Sequence, residues 1–234
     1  AASSETRPRP SPRLRIVLAP LVLVVLPFFA LLWVTVDLSL RNTRAAITAN
    51  LVGQARLIAE LVENEIETYT TLAQGLAASP ALAEGDLDAF RLGLRASLQV
   101  LPQSVATLFD ADARALVSSR GLNGLSERPS AIAHLHARAR ETGETQVSSL
   151  FSDAYGNGLI IGAVVPVRAE GQPGRTISIS ILPDRFRRLL EGKFPDTVFL
   201  AVMDRQGRLV ARVPDHDRFL GEGATAEWRA AGAG

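Results

Sequence analysis

The run from Ile16 to Val36, IVLAPLVLVVLPFFALLWVTV, carries no charged side chain and ends at Asp37. At about 1.5 Å per residue a helix of this length crosses the roughly 30 Å hydrocarbon core of a bilayer, so residues 16–36 predict a transmembrane helix. Pro20 and Pro27 each remove a backbone hydrogen bond, which membrane helices tolerate. Trp33 suits an interfacial belt near the far end. A cleavable leader has an apolar stretch of about 7 to 15 residues followed by small side chains. This run is longer, and bulky Leu32 to Val36 occupy its exit. Arg7, Arg9, Arg13 and Arg15 precede it, so the positive-inside rule places the N-terminus in the cytoplasm and everything after Asp37 outside. Residues 1–15, polar and Pro-rich over Ser3 to Pro12, read as a disordered cytoplasmic tail.

Beyond the run the periodicity turns amphipathic. Ile47, Leu51, Ile58, Val62, Ile66, Tyr69, Leu72 and Leu76 recur at spacings of three, four and seven, predicting one long helix over residues 37–80. It either packs only on its own domain or also forms a parallel dimer seam. The heptad is imperfect, because Glu65 falls on the apolar row. Ser79 and Pro80 end it. Asp86 reads as the N-cap of a second helix to about Val100, with Leu87, Phe90, Leu94 and Leu98 inward.

A hairpin follows: Val105 to Asp110 (VATLFD), a turn over Ala111 to Arg114, then Ala115 to Ser118. Its pattern returns as Phe199 to Asp204 (FLAVMD), a Gln206-Gly207 turn and Arg208 to Arg212. Asp110 and Asp204 stand roughly 94 residues apart, about one small α/β module. Each carboxylate is placed to cap its turn; Gly207 supplies a positive φ that Ala113 takes only at a cost. Between the copies lie a helix over Ala131 to Thr142 closed by Gly143, and strands Gln146 to Phe151, Leu159 to Val167 and Arg175 to Leu182. Turns DAYGNG and EGQPG separate the strands, and Pro183 opens a helix to Gly192. The predicted class is α+β, an antiparallel sheet flanked by helices.

Composition narrows the function. Lys plus Arg total 25 against 24 Asp plus Glu, so nothing marks a nucleic-acid-binding surface. Lys193 is the only lysine, a compositional bias toward arginine. Without cysteine there is no disulfide, thiolate metal site or cysteine nucleophile. No G-x-x-x-x-G-K-[ST], G-x-G-x-x-G or H-E-x-x-H occurs. His134 and His136 stand at i, i+2 on a helix, where side chains do not share a face, and read as surface histidines. His216, between Asp215 and Asp217, reads as part of a solvated turn. The first residue is not Met and the end lacks a terminating element, so both ends read as cuts in a longer chain.

In this order, the stretches GDLDAFRLGLRASL, ETGETQVSSLF, AVVPVRAEGQPGRTISISILPDRF and AVMDRQGRLVARVPDHDRFLG resemble the double Cache sensor regions of bacterial receptors, whose modules are PAS-like. More specifically they look like the input of sensor histidine kinases. The resemblance covers Leu38 to about Gly223 and implies a membrane-distal module over 81–182 that holds the ligand, with the start of a proximal module over 183–234. It further implies a small-molecule ligand, a homodimer in the bacterial inner membrane with a periplasmic sensor, and a response regulator as downstream partner. ATP and Mg would serve only a kinase region that this chain lacks; no cofactor is expected here. Chemoreceptors and diguanylate cyclases share such inputs, and a dimerisation module without ligand is a further reading.

In a PAS-like sheet the strands and covering loops enclose the pocket. The candidate ligand contacts are therefore Arg128, able to pair with a carboxylate, Ser149, Asp153 and Tyr155 as hydrogen-bonding groups, and Phe151 as an apolar wall. Each has a plainer alternative: Asp153 and Tyr155 shaping a turn, Phe151 in the core, Arg128 on the surface. The Tyr and Arg followed by Trp of amino-acid-binding members is not visible, since Trp228 lies far downstream, so an amino acid is not favoured.

Overall fold

The computed structural model describes residues 12–101, 103–122, 127–156, 158–168, 174–193 and 199–223, with only some side chains before residue 50. The chain divides into two compact units, residues 1–57 and 58–234. Helix α1 is assigned over Pro12–Ala77 and contributes to both.

In the first unit the backbone is helical through the whole apolar run, both prolines included. Its described side chains Phe28, Leu31, Leu32 and Trp33 are exposed. Of the tail expected to be disordered over residues 1–15, residues 12–15 are helical as the start of α1, while residues 1–11, the flanking arginine side chains and most of the run's side chains lie outside the described residues. Among the described residues no helix is long and apolar enough to cross a membrane. Leu51, expected on the inner face of the long helix, is exposed instead.

In the second unit α1 buries Ile58, Tyr69, Ala73 and Leu76, with Val62, Ile66 and Leu72 packed beside them. Glu65 breaks the apolar row for a reason the periodicity does not carry: Arg185 reaches it at 2.8 Å, and the Glu65 side chain is 14% exposed. Truncation by Glu65→Ala is expected to cost about 1–2 kcal/mol in urea unfolding, since a charge-assisted bond to a largely buried group is lost. Equal stability of variant and parent would contradict this.

The helix ends at Ala77, and Ser79, in an extended conformation, leads into Pro80 at the start of α2 (Pro80–Ala83). Asp86 caps α3 (Leu87–Ser97) by accepting from the Ala89 N–H at 2.9 Å. A 3-10 turn, Leu98–Val100, completes the predicted second helix, and Phe90, Leu94 and Leu98 are buried as the pattern requires.

Strands β1 (Ala106–Phe109), β2 (Ala115–Ser118), β3 (Gln146–Val147), β4 (Phe151–Ser152), β5 (Leu159–Pro166) and β6 (Thr176–Ile181) form one sheet. The order is β2-β1-β6-β5-β3, with β4 also on β5, and every pairing is antiparallel. The single strand expected from Gln146 to Phe151 is split. Ser148 still pairs with Gly162, its N–H donating to Gly162 O at 2.9 Å and its buried hydroxyl accepting from the Gly162 N–H at 2.8 Å, and the register shifts by one residue over 149–150 before Phe151 meets Ile160. The Glu170 to Gly174 turn lies largely outside the described residues.

Both faces of the sheet are covered. Ala106, Leu108, Val117, Ile161, Ala163, Val165, Ile177, Ile179 and Ile181 face the core shared with α1, α3 and α5 (Pro183–Leu190). On the other face α4 (Ala133–Thr142, closed by left-handed Gly143) packs through Ile132, Leu135 and Ala139 on Val164 and Phe151. His136 is on that buried face, not on the surface: it has no solvent exposure, because Ile132, His136 and Ala139 form one i, i+4, i+7 stripe.

The second hairpin, β7 (Leu200–Met203) and β8 (Leu209–Val213), repeats the geometry of the first. Both have a register shift before the turn, at Leu108/Phe109 and Val202/Met203. Asp110 Oδ1 accepts from the Asp112 and Arg114 N–H groups, and Asp204 Oδ1 from those of Gln206 and Arg208. Ala113 does adopt the left-handed conformation, φ +57°, matching Gly207 at +74°. The carboxylate hydrogen bonds offset a strain of about 1 kcal/mol there. His216, expected in a solvated turn, is instead buried and opens the short helix α6 (His216–Phe219).

Candidate functional site

The isoleucines of TISISI on β6 point to the core, so the intervening Thr176, Ser178 and Ser180 must point to the opposite face. There α4 covers only part of the sheet. Thr107 and Phe109 of β1 join Ser178 and Ser180 as the floor of a cavity of about 510 Å³. Ile132, Phe151 and Ile160 supply apolar walls. Residues Glu127 to Ala131, leading into α4, and the β4–β5 turn with Asp153 and Tyr155 form the rim. Gly162 lies beneath: a Cβ there would meet Ile132 Cδ1 at 3.0 Å and Phe151 Cε1 and Ser178 Oγ at 3.3 Å, so these side chains converge only because it is glycine.

Four of the five predicted contacts are brought together. Arg128 lines the rim, exposed, with no hydrogen bond or ion pair to another described residue. Phe151 is both wall and packing against Ile132. Asp153 lines the rim and also shapes its turn, its N–H donating to Gly158 O at 2.8 Å. The Tyr155 hydroxyl bonds Ser118 Oγ at 2.5 Å and Gly121 O at 2.7 Å. Burial raises the Tyr155 phenol above its ordinary value, against the lowering effect of its hydrogen bonds to Ser118 and Thr107. Ser149 is not among the lining residues.

The floor hydroxyls Thr107, Ser178 and Ser180 were missed as site residues, although alternating Thr and Ser in a strand with isoleucines buried on one side was visible in the sequence. Ser180 Oγ accepts from the Val105 N–H at 2.8 Å, leaving its own proton to donate. Behind Phe109, whose ring lies 4.4 Å from that of His136, the His136 Nδ1 meets Thr176 Oγ1 at 2.7 Å. Burial, then the nearby Arg140 and His134 charges, push the imidazole down to about 4. Among the described residues no three metal-ligating side chains converge. The arrangement thus offers a guanidinium for an anionic group, hydroxyls for further hydrogen bonds and an apolar enclosure.

No family model matches the chain, and no curated protein is similar to it in sequence. Solved structures are similar in fold. The sensory domain of the Campylobacter jejuni chemoreceptor Tlp3 with isoleucine bound superposes with a TM-score of 0.59 at 12% identity, over 76% of this chain and 75% of that one. The ligand-binding domain of the Pseudomonas fluorescens chemoreceptor CtaA in complex with L-alanine gives 0.57 at 14% identity, over 74% of each chain. The sensor domain of the V. cholerae histidine kinase DctB gives 0.59 at 10% identity, over 80% of this chain and 74% of that one. The resemblance to double Cache sensor domains drawn from the sequence holds at the level of fold.

Proposed function

We propose that this chain is the extracytoplasmic input region of a membrane-bound receptor, anchored through Ile16 to Val36, with a small molecule held in the cavity above β1 and β6. The observation that carries the reading is the cavity itself, walled by apolar side chains, floored by hydroxyls and rimmed by the exposed Arg128 guanidinium. Such a site suits a small organic acid whose carboxylate meets Arg128. The amino acids held by Tlp3 and CtaA make that class worth testing beside other carboxylates. The output we favour is a sensor histidine kinase passing phosphate to a response regulator, in a homodimer of the bacterial inner membrane. Support for it is the sequence resemblance together with the fold shared with the DctB sensor; the fold shared with Tlp3 and CtaA supports a chemoreceptor as the second reading.

The test is thermal unfolding against a panel of amino acids and of mono- and dicarboxylates. A ligand at a hundredfold its Kd stabilises by about 2.7 kcal/mol. Arg128→Ala is expected to weaken the responding class by tenfold or more, as loss of a charge-assisted hydrogen bond requires. A response unchanged in both Arg128→Ala and Ser178→Leu would place binding elsewhere.

A further inference from the structure

The Tyr155 hydroxyl has one proton and two close partners, Ser118 Oγ and Gly121 O. A carbonyl oxygen only accepts, so the proton goes to Gly121 and the Ser118 hydroxyl donates to the Tyr155 oxygen. Ser118 Oγ in turn accepts from Thr107 Oγ1 at 3.1 Å and from the Arg120 N–H at 3.4 Å. The chain thus runs donor to acceptor from Thr107 through Ser118 and Tyr155 to Gly121, and each bond polarises the next. Tyr155 lines the cavity, while its hydroxyl is bonded to the turn over residues 118–121 at the end of β2. From the opposite face of the sheet, Arg95 of α3 holds the same turn, its Nε donating to Ser119 O at 3.0 Å.

We propose that Tyr155 links the cavity to α3 across the sheet: a ligand that moves the Tyr155 ring moves the 118–121 turn and, through Arg95, the helix on the far side. The link rests on the cavity being the ligand site, but its geometry is testable without ligand. Tyr155 and Arg95 each bond a residue of this turn, Ser118 and Gly121 on one side and Ser119 on the other. In the full chain, hydrogen exchange at the Arg95 Nε–H, followed by NMR, is expected to speed up roughly five- to tenfold in Tyr155→Phe, the weight of one hydrogen bond. Ser118→Ala, which cuts the chain one member earlier, is expected to do the same. Faster exchange at the Gly121 amide with the Arg95 Nε–H unchanged in both variants would reduce Tyr155 to a local clasp and overturn the link. Failure of the sensor reading shows separately, as a wild-type protein that no compound stabilises.

Discussion

Asp204→Ala is expected to cost about 2–3 kcal/mol of stability in urea unfolding, the penalty for losing charge-assisted hydrogen bonds to a buried carboxylate. The Asp204 side chain is only 2% exposed and every lone-pair direction is used. Besides the two turn N–H groups on Oδ1, Oδ2 accepts from the Leu150 N–H and from Arg208 Nε, both at 3.0 Å. Arg208 Nη2 closes the clamp by donating to Leu150 O. Leu150 sits between β3 and β4, so this carboxylate fastens the second hairpin to the main sheet as well as closing its own turn. Burial works against the charged form, yet the backbone donors of Arg208, Leu150 and Gln206 and the Arg208 charge outweigh it and hold the carboxyl below the usual carboxylate value. Its contribution is therefore present above that value and lost as the pH falls below it. Asp110, which caps only its own turn, serves as the control: Asp110→Ala is expected to cost about 1 kcal/mol, as for a lost cap. Equal costs at the two sites would contradict the clamp.

The second large effect is a dependence on pH carried by His136. Its imidazole, with no solvent exposure, titrates at about 4 against 6.5 when unfolded. A base whose folded value is depressed favours the folded state while neutral, so the stability is complete above 6.5 and drains away as the pH falls toward 4. The 2.5-unit gap corresponds to about 3 kcal/mol. Arg140 and His134 share its helix and disfavour the proton; Thr176 and Phe109 face it from the sheet. His136→Gln, which keeps a polar partner for Thr176, is expected to flatten this part of the melting-temperature profile between pH 6.5 and 4. Parallel profiles for variant and parent would contradict it.

Much of this architecture was legible because its signals are local. The Asp86 cap, the break at Pro80 and the two Asp-capped hairpins each depend on a few neighbouring residues, and the order of these elements was enough to suggest the fold. What escaped depends on pairing across the fold. Glu65 looked like a flaw in a heptad until Arg185, far along the chain, was seen to meet it. The spacing of His134 and His136 rightly separated their faces, but only the sheet beneath α4 shows that the Ile132, His136, Ala139 stripe is covered. Ser149 was chosen from a strand whose register shifts at 149–150, and a register change of one residue sends a side chain to the other face. The floor of the cavity was missed for a related reason: Thr107, Ser178 and Ser180 read as ordinary solvent-facing positions unless both faces of the sheet are known to be covered.

On the proposed function, the cavity above β1 and β6 receives the small molecule. The most direct test is amide hydrogen exchange by mass spectrometry, with and without a pool of amino acids and carboxylic acids at millimolar concentration. Exchange is expected to slow in segments 127–132, 151–156 and 176–180, which line the cavity. No slowing anywhere, or slowing confined to the charged surface around Asp184, Arg187 and His216, would contradict it.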